Sequence, residues 1–201
     1  SSNALQHRFQ FLITLSSVTN NKKPEYKYMK KLLVLIAAIS LLALGIHSFK
    51  ASESSDTQAC NLKGEVVRVA DGDSITVVDQ ERKSHKIRLA GIDTPERQQP
   101  YGKVARQFLA KQVFKKQVCV GWYKRDKYKR LVGIVRVTDE DINLKILRAG
   151  LGWHYKQYQH EQSKTNRIRY AEAQESAEDA KLGLWQDRSS IPPWLWRRGE
   201  R

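Results

Sequence analysis

The stretch GEVVRVADGDSITVVDQERKSHKIRLAGIDTPE, residues 64–96, decides the fold. Residues 64–70 have strand composition with partial apolar–polar alternation, and Asp71-Gly72 is a turn signal. The β-branched run at 74–78 is a second strand, and the polar residues 79–84 close a hairpin onto a third at 86–90. Three short strands therefore come early, as a meander. Beyond them, Val104, Phe108, Leu109 and Val113 recur at helical spacing. Residues 118–120 and 131–135 are two further strands, joined by a strongly basic connector at 123–130. A short amphipathic helix at 142–148 stops at Gly150, and a longer Ala- and Glu-rich helix at 168–181 ends before Gly183. The pattern predicts an α+β, β-rich chain: a five-stranded OB-type barrel with about three α-helices packed outside.

The chain has 201 residues, 40% hydrophobic and 28% charged, which excludes a wholly disordered or collagen-like protein. Lys and Arg total 36 against 21 Asp and Glu, a net charge of +15. Such a surface suits a polyanion. Two cysteines are too few for a disulfide-built scaffold or a four-thiolate zinc site. The single methionine, Met29, is followed by Lys30, Lys31 and an uncharged apolar run at 32–46. As a helix that run spans roughly 22 Å, short of a hydrocarbon core of ~30 Å. Residues 29–51 are expected to be a signal peptide cut near Ala51, so that the protein is secreted or periplasmic. The alternative is an uncleaved leader anchoring it in a membrane. Residues 1–28 are expected to be an upstream or tag-derived segment, and 52–61 a short linker. Seven basic residues and one acidic residue lie in 1–51, so most of the positive excess belongs to the remainder.

Three clusters carry chemistry. Taken singly, Asp71-Gly72-Asp73 is a tight turn, residues 88–96, with an arginine near a strand's end, are a solvated loop, and residues 125–130 are a basic hairpin. Together they form a set. Asp73 and Asp93 supply hard oxygen ligands for a divalent cation, and Glu96 is the nearest spare carboxylate to serve a water. Pro95 pushes Thr94 into extended geometry, so Asp93 and Glu96 need not diverge. Arg88 and Arg130 are planar forks suited to the charge that gathers on a phosphoryl group in its transition state. The five histidines form no close ligand pair, and His154 and His160 read as packing or surface residues.

This set resembles the staphylococcal nuclease-like, or thermonuclease-like, family in its bacterial secreted form. The resemblance spans residues 62–186. It rests on Val-Ala-Asp-Gly-Asp-Ser at 69–74, Arg-Leu-Ala-Gly-Ile-Asp-Thr-Pro-Glu at 88–96 and Tyr-Gly at 101–102. It continues with Asp-Lys-Tyr-Lys-Arg at 126–130, Asn-Leu-Lys-Ile-Leu-Arg-Ala-Gly-Leu at 143–151, Ala-Glu-Ala-Gln at 171–174 and Leu-Gly-Leu-Trp at 182–185. It implies calcium-dependent hydrolysis of DNA and RNA that leaves a 3′-phosphate. Asp73, Asp93 and the Thr94 carbonyl would hold Ca2+. Glu96 would act as general base or position the attacking water, and Arg88 and Arg130 would bind the phosphate. Lys127, Tyr128 and Lys129 would contact substrate. Either Tyr155 or Tyr158 would supply a second stacking ring. The implied partners are DNA and RNA, single strands favoured, bound by a monomer with no obligate protein partner and with no membrane contact beyond an uncleaved leader.

The chain departs from the family pattern in places. Ser74 stands where Thr is usual. Lys129 stands where a glycine often separates Tyr from Arg, which matters if that backbone takes a positive φ. The loop at 97–100 is short, suggesting an open rim. The family fold sets the first strand beside the fourth, which implies a Cys60–Cys119 disulfide. The Pro/Trp/Arg-rich tail at 187–201 either packs Trp194 or Trp196 on the barrel or touches single-stranded nucleic acid. The rival to a nuclease is a non-catalytic nucleic-acid-binding barrel of the same fold.

Overall fold

The computed structural model describes residues 59–200. The expected leader at 29–51 and the segment at 1–28 lie outside the described residues, as does most of the linker at 52–61. Among the described residues, no helix is long and apolar enough to cross a membrane.

The early meander forms as β1 (Leu62–Val69), β2 (Ser74–Asp79) and β3 (Ser84–Leu89), all antiparallel. Ile75 and Val77, and Ile87 and Leu89, are buried at alternate positions; Val66 and Val69, three apart, are both buried because a bulge between Val66 and Arg68 resets the alternation. A two-residue strand, β4 (Ile92–Asp93), follows, then α1 (Gly102–Val113), β5 (Gln117–Arg125) and β6 (Leu131–Val137). β5 pairs antiparallel with both β1 and β6. β3 pairs in parallel with β6, Ile87 opposite Leu131 and Leu89 opposite Gly133. That last pairing closes a five-stranded mixed barrel of OB type, with the helices outside.

β5 is longer than its sequence suggests. The basic residues Lys124 and Arg125, read as connector, pair with Val132 and Leu131 across a bulge, so only 126–130 remain as turn. The backbone ladder carries the strand where composition gives no hint of it. β7 (Glu140–Asp141) leads into α2 (Ile142–Arg148), capped where Asp141 accepts from the Leu144 N–H. Asn143 is fully buried and ties α2 to the barrel by bonds to the Val135 N–H and the Ala90 and Gly133 carbonyls. β8 (Trp153–His154) pairs with β4 and sets Asp93 opposite Trp153.

A 3-10 segment at Lys156–Glu161 leads to α3 (Lys164–Asp179), capped by Ser163. α3 begins four residues before the predicted start: Ser163 caps it there, and the buried face of Tyr170, Ala173 and Ala177 continues back to the polar Asn166, which no apolar spacing announces. A second 3-10 segment (Gly183–Gln186) and a one-turn helix α4 (Pro193–Trp196) follow, with Pro193 at the first helical position, where proline is tolerated. Cys60 and Cys119 are joined as a disulfide, their Cα atoms 5.5 Å apart, where Lys63 of β1 faces Cys119 of β5.

Candidate active site

One groove of about 660 Å³ gathers Asp73, Arg88, Asp93, Thr94, Glu96, Lys127, Tyr128 and Arg130. Tyr155 and Tyr158 also line it, and Lys129 does not. The carboxylates come from the turn after β1, from β4 and from the loop before α1. Gly102 makes that loop possible: a Cβ there would stand 1.9 Å from the Glu96 carbonyl, so the chain can turn back over the start of α1 only with glycine.

Asp73 is 5% exposed and Asp93 2%. Asp73 Oδ2 accepts from the Thr94 N–H and hydroxyl, both at 2.9 Å, and Oδ1 accepts from the Ser74 hydroxyl. Serine at position 74 therefore still supplies the flanking hydroxyl. Arg88 balances both acids. Its Nη2 lies 2.8 Å from Asp93 Oδ1 and 3.2 Å from Asp73 Oδ2, while Nη1 donates to the Leu89 and Ile92 carbonyls. Burial opposes its charge, but Asp73 and Asp93 outweigh burial and raise its pKa. Its terminal nitrogens are thus spent on protein oxygens, and Nε–H is the donor left for a phosphate. Burial pushes the Asp93 carboxyl up, offset by Arg88 and then Arg197. Asp71, beside them, is pushed up to about 6 by burial and by the charge of Asp73.

Arg130 projects from the turn after β5. Asp126 holds it, accepting from Nε at 2.7 Å and from the Arg130 N–H, and Nη1 reaches the Ser74 hydroxyl at 3.3 Å. Burial works against ionisation of Asp126, but the bonds from Arg130 hold its carboxyl below the usual range. Tyr128 is 65% exposed, with the Arg130 guanidinium 5.4 Å and the Lys127 ammonium 5.1 Å from its ring centre. Lys129 sits at φ 62°, in the left-handed region. Lysine is strained there, yet Arg130 keeps its contacts. Lys129→Gly is expected to stabilise the fold by about 1 kcal/mol, read as a rise in the urea midpoint. An unchanged midpoint would show that the strain costs nothing.

The tail supplies a residue that the motifs did not single out. Arg197 Nη1 lies 2.7 Å from Glu96 Oε1, and Nη2 lies 2.8 Å from Asp93 Oδ2. Trp194 stacks on Tyr155 with ring centres 5.5 Å apart and planes 13° apart, and meets Trp153 edge-on. The rim beside 97–100, expected to be open, is covered by this segment, since Gln99 Nε2 donates to the Ile191 carbonyl at 2.5 Å. The signal available was the pair of arginines after Trp196; nothing in local periodicity aims one of them at Glu96. His154 is buried and bonds Gln162 through Nε2, a packing role, and His160 is exposed.

Among the described residues no group of three or more His, Cys, Asp or Glu is arranged to hold a metal. A dication here would rely on Asp73, Asp93, the Thr94 carbonyl and water. The residues fit one: every donor is a hard oxygen, and the two carboxylates are buried and brought together on one groove.

The comparisons agree with this geometry. The family model described as staphylococcal nuclease homologue matches residues 86–187. An uncharacterized endonuclease of Haemophilus influenzae is 38% identical over 136 residues, covering 68% of this chain and 73% of the relative. An uncharacterized endonuclease of Escherichia coli O157:H7 is 40% identical over 138 residues, covering 68% and 86%. A micrococcal nuclease of Shigella flexneri is 35% identical over 150 residues, covering 70% and 83%. The barrel, the groove and these similarities together show that the chain belongs to the staphylococcal nuclease homologue family.

Proposed function

We propose that the protein is a calcium-dependent nuclease that hydrolyses phosphodiester bonds of DNA and RNA and leaves 3′-phosphate ends. The observation that carries this reading is the convergence of Asp73, Asp93, Glu96, Arg88 and Arg130 on one groove with a basic, aromatic rim. A protein that only bound nucleic acid would gain nothing from three carboxylates where phosphate must lie.

When bound to Asp73, Asp93 and the Thr94 carbonyl, calcium supplies Lewis acidity toward a phosphoryl oxygen. The chain's own residues do the rest. Glu96 accepts a hydrogen bond from the attacking water and takes its proton or aligns it for attack. Arg130, clamped by Asp126 and Ser74, presents its remaining N–H groups to the equatorial oxygens as charge gathers there. Arg88 contributes Nε–H and holds the two aspartates at fixed spacing. Tyr128 is a stacking platform for an unpaired base, which favours single strands. The leader at 29–51 supports a secreted or periplasmic location, where calcium is plentiful enough for a weak site.

The test is hydrolysis of a 5′-labelled single-stranded oligonucleotide, DNA or RNA, with calcium or with a calcium chelator. Cleavage is expected only with calcium, and the products are expected to prime a polymerase only after phosphatase treatment. Cleavage in the chelator, or products with a free 3′-hydroxyl, would contradict the reading. Salt-sensitive binding without cleavage would favour the non-catalytic barrel.

A further inference from the structure

The C-terminal segment meets the loop at 96–99 at both of its ends. At one end the buried Gln99 does two things. Its Oε1 accepts from the Glu96 N–H at 3.0 Å, and its Nε2 donates to the Ile191 carbonyl. At the other end Arg197 donates to Glu96 Oε1 and to Asp93. Arg197 is the only side chain among the described residues with a bond to the Glu96 carboxylate. Without it, a side chain 39% exposed on a loop has several rotamers open to it. The segment is itself anchored. Trp194 stacks on Tyr155 and packs on Trp153, the residue opposite Asp93 in the β4–β8 pair.

We propose that Arg197 is a positioning residue for hydrolysis: its guanidinium fork fixes Glu96 against Asp93 and leaves Glu96 Oε2 turned to the attacking water. The proposal rests on the nuclease reading above. The chemistry favours arginine, because one planar fork spans two carboxylates three residues apart, as a lysine point charge cannot. The docked tail also explains the short loop at 97–100: its outer wall comes from residues 191–197 in place of a longer loop. A displacement of about 1 Å at a reacting group costs about 100-fold in rate, which sets the expected scale.

The experiment uses the full chain with Arg197→Ala and Arg197→Lys. It measures kcat and KM on single-stranded DNA at saturating calcium, calcium affinity by calorimetry and the urea midpoint. For Arg197→Ala, kcat is expected to fall about 10- to 100-fold with KM little changed. Calcium affinity is expected to hold or tighten, because a competing positive charge leaves Asp93. Millimolar guanidinium ion is expected to restore part of the lost kcat in Arg197→Ala and none in Glu96→Gln, and Arg197→Lys is expected to fall between. A folded Arg197→Ala whose kcat is unchanged or raised would overturn the proposal; a rise would mark the segment as a plug. Loss of calcium binding in parallel with kcat would also overturn it, because Arg197 would then serve the metal ligands alone. A wild-type protein with no calcium-dependent hydrolysis would overturn the nuclease reading itself, an outcome distinct from an active wild type with an unaffected variant.

Discussion

Reducing the Cys60–Cys119 bond, or replacing both cysteines by serine, is expected to lower stability by about 4 kcal/mol. The two residues are 59 apart in sequence, so the bond closes a long loop of the unfolded chain and restricts that ensemble strongly. The loop it closes holds β1 to β4, α1 and the turn bearing Asp71 and Asp73. In the folded state the bond ties the entrance of β1 to β5, a pairing already made by Leu62 with Val120 and Lys63 with Cys119. The native barrel therefore gains few new contacts from it, and the effect lies mostly in the unfolded state. Urea denaturation with and without reductant measures it. A change below about 1 kcal/mol would mean that the unfolded chain is already confined, or that strain in the folded state offsets the gain.

The second large effect is at Arg88. Arg88→Ala is expected to cost about 3–5 kcal/mol in the calcium-free protein. Asp73 and Asp93 would remain buried and close together without the guanidinium that now lies 3.2 and 2.8 Å from them. The Leu89 and Ile92 carbonyls would lose their donor as well. Arg88→Lys is expected to recover only part of the loss, since one ammonium cannot reach all four oxygens. Because the penalty arises from two negative charges, added calcium is expected to narrow the gap between variant and wild type. Denaturation curves with calcium and with chelator test both statements. A calcium-free Arg88→Ala as stable as wild type would show that the aspartates are balanced by something other than Arg88.

Much of this architecture was legible in the residues. The β-branched runs at 64–70 and 74–78 and the alternation at 86–90 give the meander directly, because a barrel strand has one face inside. The helical spacing of Val104 to Val113 gives α1, although Val104 itself is exposed and Ala105 faces the core with Leu109 and Val113. What local pattern missed had other causes. β4 and β8 are two residues each and exist only as each other's partners, so no local period announces them. Lys124 and Arg125 belong to β5 through backbone pairing, against their composition. The positive φ of Lys129 is imposed by a turn whose Asp126 carboxylate accepts from two backbone N–H groups. The acids and arginines of the groove were legible because their types suit one chemistry. Arg197 was not, because its place is set by aromatic packing of Trp194 against Tyr155 and Trp153, more than thirty residues away in sequence.

The central claim is that Glu96 serves the water in a calcium-dependent hydrolysis. The most direct test is the single-turnover rate of single-stranded DNA cleavage at saturating calcium, wild type beside Glu96→Gln, with calcium affinity measured on both. The account predicts a fall in rate of at least about 100-fold in Glu96→Gln with calcium binding retained. A variant that binds calcium and cleaves at the wild-type rate would contradict it.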